Sequence, residues 1–361
     1  MTEWNECKNI LCIRADNMGD LLMSSPAIRA LKETFNCKIT LLTSAMGNLI
    51  APFIEEIDET IVTDLPWIKT KEAVSEKEIF SLIKKIQSYQ FDAAVIFTVY
   101  SQNPLPAAML AYMAGIPKRL AYCRENPYYL LTDWVVEKEP YTFIQHQVTR
   151  DLNLVKMINA ETEDSNFKIN FSKAAKMNAL KKLQHAGVDV QKDWLILHPG
   201  VSETKREYPE EEWIKTGRLL RDHLSLQIIL TGSESERKRC NSIQKGIGES
   251  SFSMAGLLSI EEFIALIDEA PMVISVNTGT VHIAAATQTP VIVLYALTNP
   301  QHTPWKVPSK VLFFSVKEDL RSKNEVVNYV SQELMNKETE IPSPEIILKE
   351  ARKLLKEVKI K

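Results

Sequence analysis

The chain has 361 residues, with 43 Lys and Arg against 46 Asp and Glu and a formal charge of −3. At about 150 residues per domain, this length predicts two domains, each able to bury its own core. The near-neutral charge excludes a strongly nucleic-acid-binding protein; an apolar fraction of 45 % with 25 % charged residues excludes disordered and fibrous classes.

The N-terminus, MTEWNECK, carries two glutamates and no basic region, which is not the pattern of a signal peptide. The cysteines (Cys7, Cys12, Cys37, Cys123, Cys240) are odd in number and lack CxxC spacing. That argues against a disulfide framework or a zinc site and fits a reducing cytoplasm. The longest mostly apolar stretch, 104–117, is shorter than the roughly 20 residues a spanning helix needs.

Short apolar runs then alternate with amphipathic ones. Strand candidates in the first half are 9–14, 38–43, 59–64, 92–98 and 119–122; helix candidates are 19–35, 47–55, 75–89 and 104–115. Residues 140–190 read as helix, polar segment and helix, with no strand. The second half restarts the rhythm with strand candidates 194–198, 226–231, 272–276, 291–295 and 311–316, and helix candidates 209–224, 234–247, 259–269 and 280–288. Strands apolar on both faces between helices predict parallel sheets in two doubly wound α/β domains. The expected division is 1–165, 166–342 and a C-terminal amphipathic helix in 343–361, where Ile346, Ile347, Ala351, Leu354, Leu355 and Val358 recur at helical spacing.

Glycine is scarce, 11 in the chain. Gly115 and Gly187 sit where helices should end, as C-caps do. Gly19, Gly200, Gly232 and Gly279 mark four strand-to-helix junctions at the carboxyl ends of strands, where open α/β sheets bind ligands. The first junction is IRADNMGDLLMSSPAIRAL. Asp20 opens its helix, either as a functional acid or as a first-turn charge that favours the helix dipole. A single glycine there disfavours a dinucleotide-binding GxGxxG site.

The second junction, LHPGVSETKREYPEEEW, puts Lys205 and Arg206 on a loop where a cation can neutralise phosphate, or simply be solvated. In the third, LTGSESE, Glu234 and Glu236 compete to hold ribose hydroxyls or to charge a helix start. The fourth is ISVNTGTVHIAAATQTPVIVLYALTNP. Its Thr278, Gly279 and Thr280 amides and hydroxyls form an anion cradle at a helix start, with His282 in the first turn. No metal-binding motif or GxSxG elbow is present.

In this order and spacing the four junctions resemble the heptosyltransferase-type glycosyltransferases of family 9, over about residues 9 to 300. The resemblance implies a GT-B fold, two Rossmann-like domains facing each other across a cleft, with acceptor bound by the first and nucleotide sugar by the second. It implies an inverting, metal-independent enzyme that moves a heptose from ADP-heptose to the inner core of lipopolysaccharide, at the cytoplasmic face of the inner membrane. No cofactor beyond the ADP-sugar substrate is expected. Partners are a nucleotide sugar and a saccharide or lipid-linked acceptor, with peripheral membrane contact and no nucleic acid.

By the same resemblance Asp20 is the general base, and Arg206 or Lys205 the catalytic cation. Donor contacts fall to Gly200, Gly232, Glu236, Leu258, Asn277, Thr278, Gly279, Thr280 and His282. Acceptor candidates are Arg14, Asn17, Ser24 and the loop 98–103. Two positions depart from the family pattern: Asn277 replaces its usual Asp, and Tyr208 its usual Trp. The sugar donor therefore stays open, and a relative using another nucleotide sugar, a sugar-nucleotide epimerase and a silent binding module stand as alternatives.

Overall fold

The computed structural model describes residues 4–69, 73–201, 203–334 and 339–359. The chain divides into two compact units, Met1–Lys168 and Ile169–Lys361.

The first unit runs β1 (Asn9–Ile13), α1 (Met18–Phe35), β2 (Lys38–Thr43), α2 (Ala45–Asn48), β3 (Glu59–Val62), α3 (Glu76–Ser88), β4 (Ala93–Ile96), α4 (Leu105–Met113), β5 (Lys118–Cys123), β6 (Asp133–Val136) and α5 (Gln147–Lys156). The second runs α6 (Lys173–His185), β7 (Trp194–His198), α7 (Glu210–Leu224), β8 (Gln227–Leu230), α8 (Arg237–Ile247), β9 (Ser251–Ser253), α9 (Ile260–Glu269), β10 (Val273–Val276), α10 (Gly279–Ala286), β11 (Val291–Ala296), β12 (Ser309–Phe314), α11 (Glu325–Tyr329) and α12 (Pro344–Lys359).

Each unit holds a parallel six-stranded sheet, ordered β3-β2-β1-β4-β5-β6 and β12-β11-β10-β7-β8-β9. Counted within its own unit, each order reads 3-2-1-4-5-6. The chain reverses direction across the sheet between β1 and β4, and again between β7 and β10. Loops at such a switch point diverge and leave a crevice for ligand. Strands on either side are buried on both faces (β4 as AAVI, β10 as VISV, β11 as VIVLYA), which is what a helix-covered parallel sheet demands.

Two edge strands, β6 and β9, were not expected. They are short, and β6 alternates half-buried and exposed residues, so neither carries the two-sided apolar run of an interior strand. The single helix expected over 47–55 is instead α2 followed by a 3-10 turn, Ala51–Phe53. Pro52 has no N–H to donate to the Asn48 carbonyl, so the α-helical ladder cannot continue through it. Gly115 and Gly187 follow α4 and α6 with φ of +77° and +96°, the left-handed geometry of a C-cap glycine.

Each unit has a core of its own. In the first, Leu11, Ile13, Leu42, Ile96, Ala108 and Ile116 pack together; in the second, Leu197, Trp213, Ile228, Ile292, Ile347 and Leu354 do. The last two place α12 within the second core, beside α7.

Candidate active site

In the first unit the chemistry gathers where β1 runs into α1. Arg14 is fully buried, and its Nη2 donates to Asp20 Oδ1 at 3.2 Å while Nε lies 3.4 Å from Asp16 Oδ2. Asp20 reaches back with Oδ2 to the Asn17 amide at 3.3 Å, one arm of a capping box. One carboxylate is thus pinned by a guanidinium and a backbone N–H, with its side chain still 14 % exposed. Asp16 accepts from Gln102 Nε2 at 2.6 Å, a contact that ties the loop after β1 to the loop after β4 across the switch point. Burial pushes the Asp16 carboxyl up, opposed by Arg14. Arg14 itself is disfavoured by burial, but Asp16, Asp20 and Asp151 outweigh that and raise it.

Two acceptor candidates need correction. Arg14 and Ser24 are both 0 % exposed, so they lie behind Asp20 and position it; no saccharide touches a side chain so enclosed. Ser24 spends its hydroxyl on Asp151 Oδ2, at 2.6 Å. Asn17 is exposed beside Asp20. Asp151 went unrecognised in the sequence, because it lies far along the chain from the motif it packs against; Gln102 falls in the acceptor-candidate loop 98–103, but its tie to Asp16 had no sequence signal.

In the second unit the loop after β7 carries Gly200, Lys205 and Arg206. Gly200 is a close-approach glycine: a Cβ there would stand 2.2 Å from Glu236 Oε1. Glu236 accepts from Ser233 N at 2.7 Å and Ser233 Oγ at 2.8 Å, which fixes its carboxylate over Gly200. Gly232 sits under the same side chain, with Glu236 Cβ 3.2 Å from the place of a Cβ. His198 bonds Thr231 Oγ1 at 2.9 Å through Nδ1; burial pushes it down to about 4, against the pull of Glu236, so it is neutral at pH 7.

The cations are distinguished by their reach. Arg206 Nη1 donates to the Asn277 carbonyl at 3.1 Å, bridging the loops after β7 and β10 across the second switch point. Lys205 pairs with Glu203 at 3.3 Å, and Glu203 also holds Arg206 at 3.2 Å. Tyr208 is 0 % exposed, donates to the Pro342 carbonyl at 2.7 Å and packs edge-on to Trp213, which anchors the cationic loop to the core.

Asn277 turns its side chain inward. Its Nδ2 donates to Ala296 O at 3.3 Å and Thr298 Oγ1 at 3.2 Å, and its Oδ1 accepts from Ala296 N at 3.2 Å. An aspartate could accept there but not donate. The Thr278 amide is not free as expected: it donates to Val276 O at 2.8 Å. The amides left to an anion are those of Gly279 and Thr280 in the first turn of α10, joined by the half-buried Thr278 side chain. His282 is buried behind them, its ring edge-on to His302. Leu258 is half-buried in the turn before α9. Among the described residues no group of three or more His, Cys, Asp or Glu is placed to hold a metal ion, and no helix is long and apolar enough to cross a membrane.

The model of "Glycosyltransferase family 9 (heptosyltransferase)" matches residues 79–334. Lipooligosaccharide heptosyltransferase 2 of Haemophilus influenzae is 24 % identical over 306 residues, 82 % of this chain and 85 % of that protein. Lipopolysaccharide heptosyltransferase 3 of Escherichia coli is 23 % identical over 299 residues, 80 % of this chain and 83 % of that one. Among solved structures, a family 9 glycosyltransferase from Veillonella parvula superposes with a TM-score of 0.78 at 16 % identity, covering 99 % of both chains. E. coli ADP-heptose lipopolysaccharide heptosyltransferase II gives 0.73 at 19 % identity over 97 % of this chain and 99 % of that one. E. coli heptosyltransferase WaaC with ADP gives 0.63 at 19 % identity over 91 % and 99 %. The architecture is therefore GT-B, and the epimerase and binding-module alternatives are not favoured. With the family matched over most of its length, the chain belongs to glycosyltransferase family 9, the heptosyltransferases, and is a glycosyltransferase.

Proposed function

We propose that the enzyme transfers a heptose, with inversion, from ADP-heptose to a lipopolysaccharide inner-core saccharide, at the cytoplasmic face of a membrane it touches only peripherally. Residues 1–165 take the acceptor, 166–342 the nucleotide sugar, and 343–361 buttress the latter. The observation that carries the reading is Asp20, a carboxylate held at the carboxyl end of β1 by Arg14 and the Asn17 amide yet open to solvent on one edge. The two relatives are a lipooligosaccharide and a lipopolysaccharide heptosyltransferase, and one structural neighbour holds ADP, which supports the choice of substrates.

The reaction then runs as follows. The acceptor hydroxyl attacks the anomeric carbon from the face opposite the nucleotide. Asp20 takes its proton as the new C–O bond forms. The bond from the anomeric carbon to the phosphate oxygen breaks, and its electron pair leaves with ADP. Charge growing on the diphosphate is met by Arg206, with Lys205 beside it, and by the Gly279 and Thr280 amides. Glu236 receives the ribose hydroxyls over Gly200. Asn277 shapes the loop through β11 and leaves the diphosphate to these groups.

The test is transfer and ADP binding in Asp20→Asn. Transfer should fall by about 10²–10⁴-fold, the usual worth of a general base, while ADP affinity stays within about twofold. Near-normal turnover would remove Asp20 from the mechanism.

A further inference from the structure

The ladder between β10 and β11 ends at Val276 and Leu294, while β11 continues beside β12 to Ala296. The side chain of Asn277, buried, takes the next rung. Ala296 N donates to its Oδ1 at 3.2 Å, and its Nδ2 donates to Ala296 O at 3.3 Å. A backbone N–H only donates and a carbonyl only accepts, so these two contacts admit one orientation of the amide. The other hydrogen of Nδ2 goes to Thr298 Oγ1, at 3.2 Å.

An amide nitrogen accepts nothing. Thr298 is therefore the acceptor in that bond, and its own hydroxyl hydrogen is turned away from Asn277. No acceptor for that hydrogen is found among the described residues, and Thr298 is half-buried. The place is the second switch point. The Asn277 carbonyl accepts from Arg206 Nη1 at 3.1 Å, and the turn Thr204–Arg206 packs against β11. The Gly279 and Thr280 amides follow at the start of α10. Further along the same loop, His302 stands edge-on to His282 of α10, so the loop after β11 meets the anion cradle at both ends.

We propose that Thr298 is a further donor-binding residue: its hydroxyl donates to an oxygen at the sugar–diphosphate end of the nucleotide sugar, and Asn277 is the positioning residue that turns its hydrogen outward. The inference rests on the second unit binding the nucleotide sugar. An aspartate at 277 would reverse the polarity. A carboxylate only accepts, so the Thr298 hydroxyl would donate inward and have no hydrogen left for the ligand. The amide thus gives the site a donor that a carboxylate in the same place consumes.

The experiment measures ADP affinity by calorimetry, and donor KM with ADP-heptose, for the parent, Thr298→Val, Asn277→Asp and the double variant. Thr298→Val keeps the shape and removes the hydroxyl. ADP affinity should fall, or donor KM rise, about 3- to 10-fold, the net worth of one hydrogen bond. A loss of ADP affinity assigns the contact to the diphosphate; a change in donor KM alone assigns it to the sugar. Asn277→Asp should lose at least as much. Adding Thr298→Val to Asn277→Asp should then cost nothing more, because the hydroxyl is already turned inward. A Thr298 that merely tethers the loop gives the reverse: its bond to a carboxylate is the stronger one, so its loss costs as much in Asn277→Asp as in the parent, or more. That outcome overturns the proposal, and so does Thr298→Val with both constants unchanged. Should Thr298→Val not fold, Thr298→Ala is read the same way; should Asn277→Asp not fold, the single variant decides. If the parent itself binds no ADP, the donor-site reading falls and takes the proposal with it. If the parent binds ADP and either overturning outcome is found, only the role of Thr298 falls.

Discussion

At Gly200 the side chain is missing because another one needs its room. A Cβ would stand 2.2 Å from Glu236 Oε1, and that oxygen is the end of a flexible chain, so alanine is accommodated by swinging the carboxylate away. Gly200→Ala should therefore fold normally and lose about tenfold in ADP affinity, roughly 1.4 kcal/mol, in calorimetry. Unchanged affinity would remove Glu236 from the donor site.

Thr278→Val probes a neighbouring group. The amide of Thr278 is committed to Val276, so only its hydroxyl is lost, and ADP should bind about 3- to 10-fold more weakly. Asp151 bears on stability instead. Its carboxyl is near 6 in the fold against 3.8 ordinarily, raised by burial, so the folded state holds the extra proton between about pH 4 and 6 and stability falls as pH rises through that window. Asp151→Asn escapes this cost. Relative to the parent its melting temperature should climb from pH 4 to 6, a gain on the order of 2–3 kcal/mol; parallel pH curves would contradict it. The placement of Gly200, Glu236 and Asp20 at strand-to-helix junctions was legible in the sequence because strand, glycine and acid stand together in it. Arg14 and Ser24 were misjudged as acceptor contacts because adjacency to a motif says nothing of depth, and Asp151 was invisible because α5 is brought to α1 only by folding.

Among the elements, interior strands and long helices declared themselves, since burial on both faces or on one stripe leaves a periodic record. β6 and β9 left none, being short edges. The tail helix α12 was legible as an amphipathic stretch, yet its stripe is narrower than the apolar spacing suggested. Ile347, Ala351 and Leu354 are fully buried, whereas Ile346 is 47 % exposed. Leu354→Ala should thus cost about 2–4 kcal/mol by leaving a cavity in the second core, and Ile346→Lys should stay within about 0.5 kcal/mol. Thermal melts of the pair decide it; equal destabilisation would mean that α12 is not seated as described.

For the whole molecule, the recurrence of one strand order in both units matters more than either sheet alone. Each has a switch point, and at each a polar contact ties the two diverging loops: Gln102 to Asp16 in the first, Arg206 to the Asn277 carbonyl in the second. The proposed base belongs to one and every proposed donor contact to the other. The second unit closes its own core, with α12 packed into it, so nothing in that core waits for the first. Residues 169–361 expressed alone should therefore fold cooperatively and bind ADP within about threefold of the whole enzyme, while transferring no sugar, because Asp20 is absent. Calorimetry with ADP and a transfer assay on the isolated unit check this. A folded fragment with more than tenfold weaker binding would assign part of the donor site to residues 1–168.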